Sequence, residues 1–130
     1  MNGSGAWSTA AAVAGGAAIG ALGRWAAGLW LNARWSGFPL GTLFVNLLGG
    51  LLIGVALVWL EPRPHDSVRL FVMTGVLGGF TTFSAFSAES LTLLERGQWT
   101  MALAHTSAHV LGALACAALG VMLARAVAGG

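Results

Sequence analysis

Apolar residues along the chain form four long runs, separated by short polar or proline-containing breaks. The runs are Ala6–Leu31, Gly41–Leu60, Val68–Leu94 and Trp99–Val127. Each has about 20 residues or more, the length at which an α-helix crosses a hydrocarbon core about 30 Å thick. The pattern therefore predicts an all-α membrane protein with four transmembrane helices in a single domain, residues 1–130.

The residues between the runs support this interpretation. Two prolines and three charges in "EPRPHDS" (Glu61–Ser67) predict a loop. Tryptophans mark the ends of the runs, where an amphipathic indole prefers the headgroup level: Trp7, Trp30, Trp35, Trp59 and Trp99. Only 8% of residues are charged, against about a quarter in soluble domains. The net charge of +2 comes with no basic run or basic face, so a nucleic-acid partner is not expected.

The arginines near the ends of the runs are divided almost evenly between the two sides of the membrane. One side would hold Arg63, Arg69 and Arg125 and the other Arg34 and Arg96, with Arg24 inside the first run. Because the Lys/Arg bias sets orientation, this balance predicts weak orientation or insertion both ways round. Two opposed copies can form an antiparallel homodimer. A single orientation is the alternative.

One face of the second run is small and hydrogen-bonding. Thr42, Asn46, Gly50 and Gly54 recur every four residues, and Gly16 and Gly20 form a similar G-xxx-G pair in the first run. Such faces allow helix backbones to approach closely. The Asn46 amide can donate to an anion, or it can form an interhelical hydrogen bond that holds the bundle. Both roles are open at this point.

The third run contains the block "GVLGGFTTFSAFSAES". Gly78 and Gly79, followed by Thr81 and Thr82, favour an interruption of the helix. Unpaired backbone at membrane depth is tolerated only inside protein or beside water. Carbonyls freed in this way can coordinate a small cation.

Aromatic rings and hydroxyls alternate after this predicted interruption. Phe80, Phe83 and Phe86 lie three residues apart, with Ser84 and Ser87 between and beyond them. Ring edges are electropositive and can contact an anion weakly, and hydroxyls add stronger donors. Ordinary packing of the rings is the alternative interpretation.

Two charges and two histidines lie inside the runs. Arg24 and Glu89 are structural candidates that could pair with each other, because an unpaired charge is costly at this depth. His105 and His109 share a helix face, but no further ligand is expected near them, so hydrogen bonding, packing or a polar track is favoured over a metal or haem. Cys116 is the only cysteine, and no catalytic set is visible, so we expect no enzyme.

Three stretches, in order, resemble the signature sequences of the Fluc (CrcB) family of fluoride channels. They are "GGAAIGALGRW" (Gly15–Trp25), "FPLGTLFVNLLGGLLIG" (Phe38–Gly54) and "GVLGGFTTFSAFSAES" (Gly75–Ser90). The resemblance implies a dual-topology antiparallel homodimer in the prokaryotic cell membrane, with two fluoride pathways and a central structural sodium ion. By motif position, main-chain carbonyls of Gly78 and Thr81 would hold the sodium.

The same resemblance implies roles for the polar residues. The pathway would include Asn46, Phe83, Phe86, Thr82, Ser84, His105 and His109, while Arg24 and Glu89 match a recurring Arg and Glu. The two histidines are a departure, because the family commonly has an uncharged polar residue and then a serine there.

The function predicted by this resemblance is passive export of fluoride, which lowers its cytoplasmic concentration. A small dual-topology, proton-coupled multidrug exporter is the alternative, since its size and span number are similar. That class uses a Glu embedded in its first helix, and the first run here has none. A purely structural subunit is a third possibility.

Overall fold

The structure, a computed structural model, describes residues 3–33, 38–60 and 67–129. The helices are α1 (Gly3–Asn32), α2 (Leu40–Leu60), α3 (residues 67–80), α4 (Phe83–Glu95) and α5 (Trp99–Ala128). Four spans within these ranges, with α3 and α4 forming one of them, are long and apolar enough to cross a membrane. The prediction of an all-α protein with four apolar spans is confirmed. The predicted loop at residues 61–66, and with it Arg63, lies outside the described residues, as do Arg34 and Trp35.

The third span is irregular. α3 contains a short α-helical start at Ser67–Arg69, a π-helical stretch at Leu70–Leu77 and a last α-helical turn at Gly78–Phe80. Thr81 (φ −79°, ψ 159°) and Thr82 (φ −151°, ψ 121°) are extended, and the helix resumes at Phe83. The sequence carries no signal for the π-helical stretch, a rare form that is frequent at functional sites.

Glycines allow two pairs of helices to touch backbone to backbone. A Cβ built on Gly50 of α2 would lie 2.7 Å from the carbonyl oxygen of Ala113 on α5. One built on Gly16 of α1 would lie 2.9 Å from the amide nitrogen of Val76 on α3. Both predicted small-residue faces therefore lie at helix interfaces, where side chains would hold the backbones apart.

α4 and α5 form an antiparallel hairpin. Gly97, between them, has φ 71°, a left-handed conformation that glycine adopts without steric cost. The amides of Gly97 and Gln98 close the end of α4 by donating to the carbonyls of Leu94 and Leu93, each at 2.9 Å. Residues at equal distances from Gly97 therefore lie at similar heights along the two helices, and those on the facing sides can touch.

Adjacent glycines in α1 provide a matched test of this packing. Gly16→Ala should lower the free energy of unfolding by about 1–3 kcal/mol, because the new methyl group meets α3 backbone that cannot rotate away. Gly15→Ala is the control, since nothing lies within 4 Å of its Cβ position and alanine is the better helix former. Reversible unfolding in lipid bicelles measures both. Equal stability of the two variants would contradict the packing argument.

Candidate functional site

The centre of the site is a pair of hydrogen bonds between a side-chain amide and the extended backbone after α3. Asn46 Oδ1 accepts from the Thr82 amide at 2.8 Å, and Asn46 Nδ2 donates to the Thr82 carbonyl at 2.9 Å. The Asn46 side chain thus bonds to both the N–H and the C=O of Thr82, which have no helical hydrogen-bond partners in this extended segment. The interhelical role that the sequence left open for Asn46 is present in the structure.

Side chains also reorganise the backbone hydrogen bonds around Thr82. Its hydroxyl caps α4 by accepting from the Ala85 amide at 3.2 Å. In a continuous helix, the Thr82 and Ala85 amides would donate to the carbonyls of Gly78 and Thr81, respectively. Both amides are directed elsewhere, so these two carbonyls lose their regular helical partners.

A second group of polar side chains surrounds Glu89. The Thr42 hydroxyl donates to Glu89 Oε1 at 2.5 Å, and His105 Nε2 donates to Glu89 Oε2 at 3.3 Å. His105 is fully buried, and its Nδ1 lies 3.0 Å from the hydroxyl of Ser90. Each carboxylate oxygen therefore has a donor, as a carboxylate at membrane depth requires.

His109 connects the two groups. Its Nδ1 lies 3.1 Å from Asn46 Nδ2, and its ring centroid lies 4.5 Å from that of His105. We call Thr42, Asn46, Thr82, Glu89, His105 and His109 the polar row. The row joins α2, α4 and α5 with the backbone between α3 and α4.

Two expectations about the charged and metal-ligating residues are wrong. Arg24 and Glu89 do not pair: Arg24 Nε donates to the Gly79 carbonyl at 3.1 Å, and Glu89 contacts α2 and α5 instead. The histidines do have a further potential ligand, because one ligand atom each from Glu89, His105 and His109 lies within 4.8 Å of the others. The α4–α5 hairpin places Glu89, eight residues before Gly97, beside His105, eight residues after it, a contact that depends on the register of the turn.

The two predicted phenylalanines differ in their surroundings. Phe86 is 8% exposed and stacks on His105, with ring centroids 5.5 Å apart and an interplanar angle of 11°. Phe83 is 78% exposed, and its ring centroid lies 5.4 Å from that of Phe86. The exposed Ser84 places its hydroxyl 3.2 Å from that of Thr82.

A partly open cavity of about 500 Å³ lies beside the extended backbone. Its lining includes the predicted residues Asn46, Gly78, Thr81, Thr82, Phe83, Phe86 and His109. Ser84 and His105 are not part of this lining, although both contact residues that are. The structure thus brings most of the predicted site together around one space.

Thr42 and Ser90 belong to the site but were not predicted as members. Thr42 lies one helical turn before Asn46, so the sequence placed it on the correct face without assigning a contact. Ser90 could have been found from the register of the hairpin, since it follows Glu89 directly and its hydroxyl lies 3.0 Å from Nδ1 of His105.

These features define a multi-pass membrane protein whose polar side chains are gathered inside the helix bundle. Residues 11–121 match the family described as CrcB-like protein, Camphor Resistance (CrcB). The chain belongs to this CrcB family.

Curated bacterial relatives are similar over most of their length. Proteins named "Fluoride-specific ion channel FluC" include one from Bordetella petrii, 52% identical over 118 residues, covering 89% of this chain and 91% of the relative. Those from Aromatoleum aromaticum and Thiobacillus denitrificans are 50% and 49% identical over 111 residues, covering 84% of this chain and 85% and 90% of the relatives. The family is one of ion channels, which confirms the prediction of a non-enzymatic protein. Bacterial relatives and four spans also fit a multi-pass protein of the prokaryotic cell membrane.

The contact between Thr42 and Glu89 can be tested with a nearly isosteric change. Thr42→Val should lower the free energy of unfolding by about 1–3 kcal/mol, because Glu89 Oε1 loses its donor while remaining partly buried. Thr92→Val is the matched control, since that exposed hydroxyl bonds only to its own helix, at the Ala88 carbonyl. Unfolding in bicelles should change by less than about 0.5 kcal/mol for the control. A similarly small change for Thr42→Val would contradict a structural role for this bond.

Proposed function

We propose that this protein is a fluoride-selective channel through which the anion leaves the cytoplasm passively. The observation that carries the proposal is the polar row, which lies within a bundle whose outer surface is apolar and contributes Asn46, Thr82 and His109 to the lining of a cavity at the extended backbone. The relatives named as fluoride-specific channels support the choice of ion.

Fluoride must exchange its hydration shell for protein donors along the route. The hydroxyls of Thr82 and Ser84 and the ring N–H group of His109 are candidates in or next to the cavity lining. Stacking on His105 occupies one face of Phe86, which leaves its electropositive edge available to an anion. Several moderate contacts of this kind allow an ion to enter and also to leave.

The driving force for export needs no nucleotide or coupled ion. An inside-negative membrane potential contributes about 2.3 kcal/mol per elementary charge for every 100 mV. An anion inside the cell therefore moves outward spontaneously once a selective route exists. The channel would lower cytoplasmic fluoride without further energy input.

Two oppositely oriented copies would complete the route. The cavity is partly open, and Gly78 and Phe83 at its edge are exposed in the single protomer. Polar backbone facing hydrocarbon is costly, so a second protein surface is favoured there over lipid. The even distribution of arginines supports opposite orientations. A two-fold axis in the membrane plane would then bring the two extended segments together.

The backbone of these segments fits a small hard cation. The carbonyls of Gly78 and Thr81 lose their regular helical donors, because the Thr82 and Ala85 amides bond to Asn46 and to the Thr82 hydroxyl. Carbonyls of this kind coordinate sodium in other broken membrane helices. Two copies would provide four oxygens, and a structural sodium ion there would tie the protomers together.

Fluoride efflux from liposomes that contain only this protein tests the proposed function. The liposomes are loaded with potassium fluoride, the pH is equal on both sides, and valinomycin lets potassium leave so that charge stays balanced. A fluoride electrode should then record efflux. Liposomes loaded with potassium chloride should release no chloride. Empty liposomes are the control. Flux that requires a proton gradient and carries organic cations would instead indicate the multidrug exporter. Impermeability to both ions would indicate a structural subunit.

Sodium dependence tests the cation site separately. Replacing sodium with N-methylglucamine, a much larger cation, should convert dimers into monomers in size-exclusion chromatography, and restored sodium should reverse the change. Thr81→Ala should keep this dependence, because the Thr81 hydroxyl bonds to the Leu77 carbonyl at 2.8 Å while the main-chain carbonyl remains. A dimer indifferent to the cation would overturn the proposed site.

A further inference from the structure

The orientation of the Asn46 amide is fixed by the backbone that it contacts. A Thr82 N–H can only donate and a Thr82 C=O can only accept, so Asn46 Oδ1 must face the first and Nδ2 the second. The atom near His109 is therefore the amide nitrogen, at 3.1 Å from Nδ1 of the ring.

This orientation determines the tautomer of His109. An amide nitrogen is only a donor, so His109 Nδ1 must accept and must carry the lone pair. The proton of the neutral ring then lies on Nε2. That nitrogen is buried and has no hydrogen-bond partner among the described residues, and the residue as a whole is 4% exposed. A buried N–H without a partner is costly, which favours a ligand that accepts a hydrogen bond.

We propose that the Nε2–H group of His109 is a nitrogen donor to the fluoride ion, and that Asn46 is a positioning residue that holds His109 in this tautomer. The inference rests on the proposed function and names the donor within that pathway. The ring lines the cavity beside Phe86, whose centroid lies 4.8 Å away. A neutral donor binds an anion moderately, as rapid passage requires.

The other two nitrogen-containing side chains of the polar row, Asn46 and His105, have no N–H group left to donate to fluoride. Both N–H bonds of Asn46 are used, one by the Thr82 carbonyl and one by His109. His105 directs Nε2 to Glu89 and Nδ1 to Ser90. His109 Nε2 is thus the nitrogen of the polar row that remains free to donate.

The same tautomer argues against a metal ion held by Glu89, His105 and His109. A metal would need the lone pair of Nε2, because Nδ1 faces the Asn46 amide. With the proton on Nε2, the three residues provide one ligand fewer than their proximity suggests. The cluster is better suited to an anion beside His109 than to a cation.

Fluoride flux of His109 variants is the first test. His109→Phe keeps a ring but removes both nitrogens, and flux should fall about 10- to 100-fold, the range expected for one hydrogen bond to a charged group. His109→Gln restores an amide N–H and should recover part of the flux. Cys116→Ala on the same helix, outside the cavity lining, is the control and should conduct as the wild type does. Undiminished flux in His109→Phe would overturn the inference.

The ¹⁵N spectrum of histidine-labelled protein in lipid gives a readout that is independent of flux. The wild type should show His109 protonated at Nε2 and unprotonated at Nδ1, and sodium fluoride, compared with sodium chloride, should shift the Nε2 resonance. Asn46→Ala should release the ring into a mixture of tautomers.

The outcomes separate the two proposals. A wild type without fluoride flux would overturn the proposed function. A wild type that conducts fluoride but carries the His109 proton on Nδ1 would overturn the inference alone. Zinc binding with micromolar affinity that is lost in His109→Phe would also overturn the inference, because it would show that the Nε2 lone pair is available to a metal.

Discussion

The structure depends on hydrogen bonds to a few backbone groups of the third apolar span, at the extended residues between α3 and α4. Hydrocarbon offers no hydrogen bonds, so each amide and carbonyl exposed by the extended residues Thr81 and Thr82 needs a protein partner. Asn46 forms hydrogen bonds with both the amide and the carbonyl of Thr82. The hydroxyl of Thr82 then starts α4, and Arg24 takes the Gly79 carbonyl. These three side chains together satisfy much of the backbone in the irregular part of the third span.

The close packing of α2 against α5 at glycine residues places Asn46 within hydrogen-bonding distance of its partners. Gly50 and Gly54, one and two turns further along α2, rest against carbonyl groups of α5. This contact leaves no room for side chains and brings α2 near both His109 and Thr82. An asparagine side chain is short, so its three contacts require the backbones to be close. The small residues and the polar row are therefore parts of one arrangement.

The sequence predicts the local features of this arrangement better than the pairwise ones. Apolar runs locate the spans because hydrocarbon thickness sets helix length. The period of four residues placed Thr42 and Asn46 on one face, and the Gly-Gly-Phe-Thr-Thr stretch indicated an interruption. Partners are harder to predict, since they depend on register between helices. Charge alone indicated that Glu89 could pair with Arg24, whereas the register about Gly97 places it beside His105.

The polar row consists of two parts with different chemical character. Around Glu89, the donors from Thr42 and His105 are already used by the carboxylate and are not available to an anion. At the other end, Asn46 is used by the backbone, and the donors that remain are those of His109 and the hydroxyls beside the cavity. An anion is repelled by a carboxylate and attracted by unpaired donors. One ligand atom each of His109 and Glu89 lie within 4.8 Å of each other, so the further contacts of the anion should concentrate beside the extended backbone, where Thr82 and Ser84 add hydroxyl donors.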